Sequence, residues 1–143
     1  MHERILLATD GSEGAMRATE HAVALAASMG ATLHAVSVVE TRTSYDNAIV
    51  DPEVVRKNLR TEARAAVEAV ERAAEDAGVD CVTTVDEGSP PDRLLDHIED
   101  TGADLVVVGA TGRSSFKRLL LGSTAERLVA DSPVPVVVVT DGE

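Results

Sequence analysis

Aromatic side chains are almost absent from this sequence, which has one tyrosine, one phenylalanine and no tryptophan among 143 residues. Hydrophobic residues nevertheless make up 44% of the chain, so its core must be built from valine, leucine, isoleucine and alanine. A chain of this length has the usual size of one domain and can bury a substantial core. We therefore expect residues 1–143 to form a single domain that packs through aliphatic contacts.

Cysteine and long apolar runs are also scarce. Cys81 is the only cysteine, which excludes an internal disulfide and a metal cluster built on cysteine. No apolar run approaches the ~20 residues that cross a bilayer. The first ten residues lack a basic region followed by a long apolar stretch. We therefore expect no membrane span, no signal peptide and a cytoplasmic location.

Positively charged residues are few, and lysine is the rarer of the two types. The sequence has 13 basic and 25 acidic residues, a formal net charge of −12, and only two of the basic residues are lysines. Such a balance argues against binding nucleic acid through a broad basic face. Two interpretations remain: adaptation to high salt, which the lysine shortage favours, or an ordinary acidic cytoplasmic protein.

Five apolar runs alternate with four helical stretches along the chain. A strand, a helix and a second strand within the first 39 residues form a βαβ unit, whose two strands are parallel. The repeated alternation predicts an α/β fold with a single doubly wound parallel sheet of five strands and four helices. The more polar third strand belongs at a sheet edge. The predicted strands are residues 4–9, 31–39, 79–85, 105–108 and 136–139.

The most informative stretch follows the fourth predicted strand. Gly109 and Gly112 come directly after buried valines, and nine residues separate Gly112 from the pair Gly122-Ser123. Ser123 and Glu126 have the spacing of a capping box, which predicts a helix start at Ser123. Free N–H groups at a helix start attract anions, and small residues let a phosphate approach closely. The stretch therefore predicts a phosphate site.

This spacing, Gly-x2-Gly-x9-Gly-Ser, resembles the nucleotide-binding signature of the universal stress protein family. The segment ILLATDGSE resembles that family's first strand and turn, and the resemblance covers nearly the whole chain. It implies the strand order 3-2-1-4-5, which makes the ends of the first and fourth strands neighbours at the switch point where α/β proteins bind ligands. Members with the intact glycine pattern bind ATP, so the resemblance implies ATP, or else AMP or ADP, as the ligand.

The resemblance also implies roles for individual residues. Thr9 and Asp10 are expected near the ribose and Val38 near the adenine. Asp10 is in addition a candidate magnesium ligand, because a carboxylate beside phosphates suits that ion. The complete predicted nucleotide-binding set is Ala8, Thr9, Asp10, Val38, Val108, Gly109, Gly112, Arg113, Gly122, Ser123 and Thr124.

Three functions remain open at this point. The first is a nucleotide-responsive binding module in the stress response. The second is a slow magnesium-dependent ATPase or nucleotidyl-transferring enzyme that uses the same site, and the third is an interaction protein whose pocket is unused. No Ser-His-Asp, Cys-His or paired-carboxylate pattern stands at a predicted strand end, so we expect no catalytic residue and no dedicated enzyme activity.

The last predicted strand suggests how the chain assembles. Val136–Val139 is a run of four β-branched residues, and an apolar strand at a sheet edge is an aggregation hazard unless something covers it. Pairing of this strand with its own copy across a two-fold axis would satisfy the exposed backbone. The resemblance implies the same, since universal stress proteins commonly dimerise through their last strand, and we expect a homodimer. The alternative is a monomer in which a loop at Glu40–Asp51 covers this edge.

Overall fold

The computed structural model describes residues 3–40, 52–110 and 122–140. Strands and helices alternate through these ranges, and each parallel crossover contains one helix. The elements are β1 (Arg4–Ala8), α1 (Glu13–Met29), β2 (Thr32–Glu40), α2 (Pro52–Asp76), β3 (Cys81–Gly88), α3 (Pro90–Thr101), β4 (Leu105–Gly109), α4 (Ser123–Asp131) and β5 (Val136–Val139).

The five strands form one parallel sheet in the order β3-β2-β1-β4-β5. The predicted fold class, strand order and number of helices are therefore confirmed. The chain reverses direction across the sheet between β1 and β4, which is where a doubly wound sheet opens a crevice at its carboxyl edge. The third strand lies at one edge as expected, although it begins two residues later than predicted and extends to Gly88.

The two faces of the sheet are packed by different helices. Ile5 and Leu7 of β1 contribute to the core beneath α1 and α2. Leu6 and Ala8 alternate with them and contribute to the core beneath α3 and α4. Both faces of β1 are therefore covered, as its uninterrupted apolar sequence indicates.

Helix α1 is held at both ends by local interactions. The hydroxyl of Ser12 accepts a hydrogen bond from the Ala15 N–H at 3.2 Å, which caps the first turn. At the other end Gly30 adopts the left-handed conformation, with φ of 67°, and its N–H donates to the Ala26 carbonyl. A residue with a side chain is rarely stable in that conformation, so glycine ends the helix here.

Helix α4 begins at Ser123, as predicted, but its cap differs from the prediction. The capping box at Ser123 is wrong, because the N-cap is Gly122 and Ser123 is the first helical residue. The Glu126 N–H donates to the Gly122 carbonyl at 2.9 Å, which closes the first turn one residue earlier than a capping box would. No side chain among the described residues caps this helix.

Two further findings bear on the sequence expectations. None of the described helices is long and apolar enough to cross a membrane. Cys81 is partly buried at the start of the edge strand β3, where it packs against the core, and burial raises the pKa of its thiol to about 11. The thiol is therefore protonated and unreactive at neutral pH.

Candidate functional site

A cavity of about 370 Å³ opens at the carboxyl edge of the sheet. Its wall comes from the ends of β1, β2 and β4 and from the first turns of α1 and α4, with one side of α2 and of α3 completing it. Its volume lies in the range of small-molecule sites. A larger open groove runs along the outer face of α2, and among the described residues Glu87 is the only one from a strand that lines it.

Nine of the eleven residues predicted from the sequence line this cavity. Gly112, Arg113 and residues 41–51 lie outside the described residues. The nine lining residues are Ala8, Thr9, Asp10, Val38, Val108, Gly109, Gly122, Ser123 and Thr124.

The end of β2 presents an open backbone edge to the cavity. The Thr9 N–H donates to the Val36 carbonyl at 3.0 Å, so Val36 directs its polar groups toward β1. Alternate residues of a strand share this direction, and Val38 therefore directs its own N–H and C=O the same way. Pairing between β1 and β2 ends at Val36, and no backbone group of the described residues hydrogen-bonds to Val38 on that side.

The turn after β1 is rigidly held by its own side chains. Thr9 is buried, and its hydroxyl accepts a hydrogen bond from the Gly11 N–H at 3.2 Å. The Asp10 carboxylate accepts one from the Ser12 N–H at 2.9 Å, and Ser12 in turn caps α1. Thr9 and Asp10 are thus fixed in position at the centre of the cavity wall.

The start of α4 supplies unsatisfied donors to the opposite end of the cavity. The Gly122 N–H donates to the Ala110 carbonyl at 2.7 Å, which ties the helix start to the end of β4. The next three N–H groups, those of Ser123, Thr124 and Ala125, have no acceptor among the described residues. An uncapped helix N-terminus of this kind attracts an anion.

Apolar side chains of two helices form a slot above the end of β2. Leu59 and Ala63 of α2 line it on one side, and Pro90 and Leu94 of α3 line it on the other. In the sequence, Leu59, Ala63 and Leu94 recur at helical spacing with other apolar residues, which predicts only that they face the core. Nothing in helical periodicity distinguishes a core residue from one that extends past the sheet edge and becomes a pocket wall.

Two consecutive residues of β3 hold the slot's walls in place. Successive strand residues point to opposite faces of a sheet. Asp86 accepts hydrogen bonds from the Nε of Arg93 and lies 2.8 Å from the Nε2 of His97, both on α3. Glu87 on the other face accepts from Arg56 and Arg60 of α2.

The pKa of the Asp86 carboxyl reflects its contacts. Burial raises this pKa, but hydrogen bonds from Arg93, His97 and the Glu87 backbone together outweigh burial and lower it to about 2. The Glu87 carboxyl also has a lowered pKa, chiefly because Arg56 donates a hydrogen bond to it. Both anions are therefore fully charged at neutral pH.

Asp10 is the one metal ligand that the sequence predicts. No group of three or more histidine, cysteine, aspartate or glutamate side chains able to hold a metal ion occurs in the described ranges. Mg²⁺ commonly takes one or two carboxylates and completes its shell with phosphate oxygens and water. Asp10 fits that pattern as a single protein ligand beside a phosphate group, where the ion would neutralise phosphate charge.

Comparison with known proteins agrees with the fold. The universal stress protein family model matches residues 1–140. Universal stress protein MJ0531 of Methanocaldococcus jannaschii is 34% identical over 140 residues, which are 97% of this chain and 82% of that protein.

Solved structures give the same result. The universal stress protein UspA from Lactobacillus plantarum superposes with a TM-score of 0.82 and 29% identity, covering 96% of this chain and 97% of that one. A universal stress protein solved in complex with cAMP has a TM-score of 0.69 and 25% identity, covering 97% of each chain. The chain described here belongs to the universal stress protein family.

Proposed function

We propose that the cavity binds an adenine nucleotide, ATP or its diphosphate or monophosphate, and that the protein is a nucleotide-responsive binding module rather than a dedicated enzyme. The observation that carries this proposal is the placement of two unsatisfied polar surfaces at opposite ends of one cavity. The open backbone edge of Val38 lies at one end and the uncapped start of α4 at the other.

The Val38 end suits the base. Adenine places a ring acceptor, N1, next to a donor, the N6 amino group. The N–H of Val38 can donate to the first and its C=O can accept from the second, as adjacent strands do for each other. The apolar walls at Leu59, Ala63, Pro90 and Leu94 match the flat faces of the ring, whose burial supplies most of the affinity.

The other end suits phosphate. Three free N–H groups at the start of α4 can donate to phosphate oxygens, and Gly109 and Gly122 leave room for close approach. The ribose would then lie between the two ends, against Thr9 and Asp10. The relative solved with cAMP carries an adenine nucleotide, which supports the same ligand class for this chain.

We propose further that two copies pair through β5. The Val106 N–H donates to the Pro135 carbonyl and the Ala110 N–H to the Val139 carbonyl, so these residues direct their polar groups inward to β4. By alternation Val138 directs its N–H and C=O outward, at the open edge of the sheet. Helix α4 contacts this strand and exposes Val129 beside it, which would extend the apolar contact.

The proposal is tested by calorimetric titration of the purified protein with ATP, ADP, AMP and GTP. We expect one adenine nucleotide per chain and weaker binding of GTP, which presents its donor and acceptor in the reverse arrangement. Release of ADP during the titration, abolished by Asp10→Ala, would instead support the slow ATPase. Absence of binding by every nucleotide would refute the proposed function.

A further inference from the structure

Beyond Glu53, which lies in the same angular range, the outer face of α2 carries its charges in two blocks of opposite sign. Three basic side chains occupy its first half and three glutamates its second half. At 3.6 residues per turn all six fall within a stripe about 80° wide along the exposed side of the helix. The stripe consists of Lys57, Arg60, Arg64, Glu68, Glu71 and Glu75.

This order opposes the helix dipole. Acidic residues stabilise the start of a helix and basic residues stabilise its end. Beyond Glu53 the first half of α2 is dominated by basic residues, whereas its last turn holds Glu75 and Asp76 and no basic residue. A pattern that costs local stability is expected where the residues serve another purpose.

Most of the stripe has no partner within the protein. Across the three described ranges, Lys57 and Arg64 form no ion pair, and neither do Glu68, Glu71 or Glu75. Arg64 and Glu68 stand one helical turn apart and still do not pair. These charges are therefore free to meet charges of another molecule.

The charges of the stripe are complementary to those of a second, antiparallel copy of the same helix. Lys57 and Glu75 each lie nine residues from Ala66, and Arg64 and Glu68 each lie two residues from it. An antiparallel copy of the helix would therefore place every unpaired cation opposite a glutamate. We propose that a second copy of this chain docks along α2, antiparallel, about a two-fold axis level with Ala66.

The remaining side chains permit this arrangement. Arg60, already bonded to Glu87, keeps donors that face Glu71 of the second copy. Arg72 stands level with Arg60 of the second copy but about 120° further round the helix, so the two cations lie on opposite edges of the contact. Thr61 and Ala65 are small and exposed, which lets the helices approach closely.

The contact is weak and depends on salt. A single pair of helices buries less than the ~1,200 Å² of a stable interface, and exposed ion pairs contribute only modestly. Its charges are screened when the Debye length falls from ~10 Å at 0.1 M to ~3 Å at 1 M salt. The facing charges of opposite sign lie closer together than the remaining charges of two chains that each carry −12, so docking through α2 strengthens as ionic strength falls despite the net repulsion. The contact involves neither the nucleotide cavity nor the edge strand β5.

Two doubly reversed variants test the proposal. Lys57→Glu with Arg64→Glu leaves Arg60 as the one cation among the six stripe residues, and Glu68→Arg with Glu75→Lys leaves Glu71 as the one anion among them. The first makes the net charge more negative and the second makes it less negative by the same amount. Sedimentation velocity measures the assembly state of each sample in ~0.05 M KCl and again in molar KCl. A dimer formed through β5 is present at both salt concentrations, so only the additional association in low salt is attributed to α2.

We expect the wild type to associate further in low salt, and neither variant alone to do so. An equimolar mixture of the two variants should associate at least tenfold more tightly than either alone. A chain with all four substitutions, whose net charge equals that of the wild type, should regain self-association. Wild type that gains no association in low salt, or a basic variant that self-associates as tightly as the mixture, would overturn the proposal.

Discussion

Gly109 lies directly against the backbone of Gly14. A Cβ atom built on Gly109 would stand 2.9 Å from the carbonyl oxygen of Gly14, closer than real Cβ contacts come. The absence of a side chain at the end of β4 thus lets the start of α1 pack onto the sheet. Gly109 also lines the cavity, so one residue serves both packing and the proposed ligand.

Gly109→Ala should therefore lower the free energy of unfolding, by about 1–3 kcal/mol for an overpacked contact with rigid backbone. Gly122→Val is the matched comparison, because Gly122 has φ of −67°, which any residue adopts. It should leave stability nearly unchanged and weaken ATP binding at least tenfold, ~1.4 kcal/mol. Urea unfolding of both variants measures the stability change, and calorimetric titration with ATP measures the change in affinity. Equal stability of Gly109→Ala and the wild type would contradict the packing role of Gly109.

The fold and most of the site could be predicted from the sequence because each rests on local features. Apolar runs rich in valine gave the strands, and their alternation with helices gave the topology, which alone places Asp10 beside Gly109. The slot walls at Leu59 and Leu94 could not be predicted, because their helical periodicity is that of core residues. The start of α4 at Ser123 was predicted correctly, but its cap was assigned to the wrong residue, because an extended Gly122 caps the helix without any side-chain signal.

The contact between Asp86 and α3 should make stability depend on acid pH. The pKa of this carboxyl is lowered to about 2 in the folded protein, below its value of ~3.9 in an unfolded chain. Its stabilisation is therefore complete above pH ~4 and is lost as pH falls toward 2. Asp86→Asn should lower the melting temperature at pH 7, with the difference from the wild type shrinking over that window.

Asp80→Asn serves as the control for this series. Asp80 is exposed and forms no side-chain ion pair with any described residue. Its replacement should shift the melting temperature little at either pH. A difference between Asp86→Asn and the wild type that stays constant from pH 7 to pH 2 would show that the carboxylate's charge does not hold α3.

Replacement of Val138 by proline should shift the protein toward monomer. Proline has no N–H, and the N–H of Val138 is directed to the open edge of β5, so the bond lost is one to a second copy. Val137→Pro is the matched control, because Val137 directs its polar groups toward β4 and its replacement should destabilise the fold instead. Sedimentation equilibrium in molar KCl measures the molecular mass of the wild type and of both variants. A monomeric wild type would contradict the proposed dimer.

Salt should stabilise the fold itself. With a net charge of −12 on a small domain, the charges repel one another over ~30 Å at 0.01 M salt and over only ~3 Å at 1 M. The melting temperature should therefore rise as KCl goes from millimolar to molar, as we propose for a protein adapted to high salt. A melting temperature that does not respond would favour an ordinary acidic protein.

Nucleotide binding at the end of β2 is tested most directly by amide hydrogen exchange at Val38. Its N–H has no backbone acceptor among the described residues, whereas Val39 is directed toward β3 and serves as the internal control. Saturating ATP should slow exchange at Val38 at least tenfold, since the amide becomes hydrogen-bonded to the base, and should leave Val39 slow in both states. Unchanged exchange at Val38 in the presence of bound ATP would contradict the proposed mode of recognition.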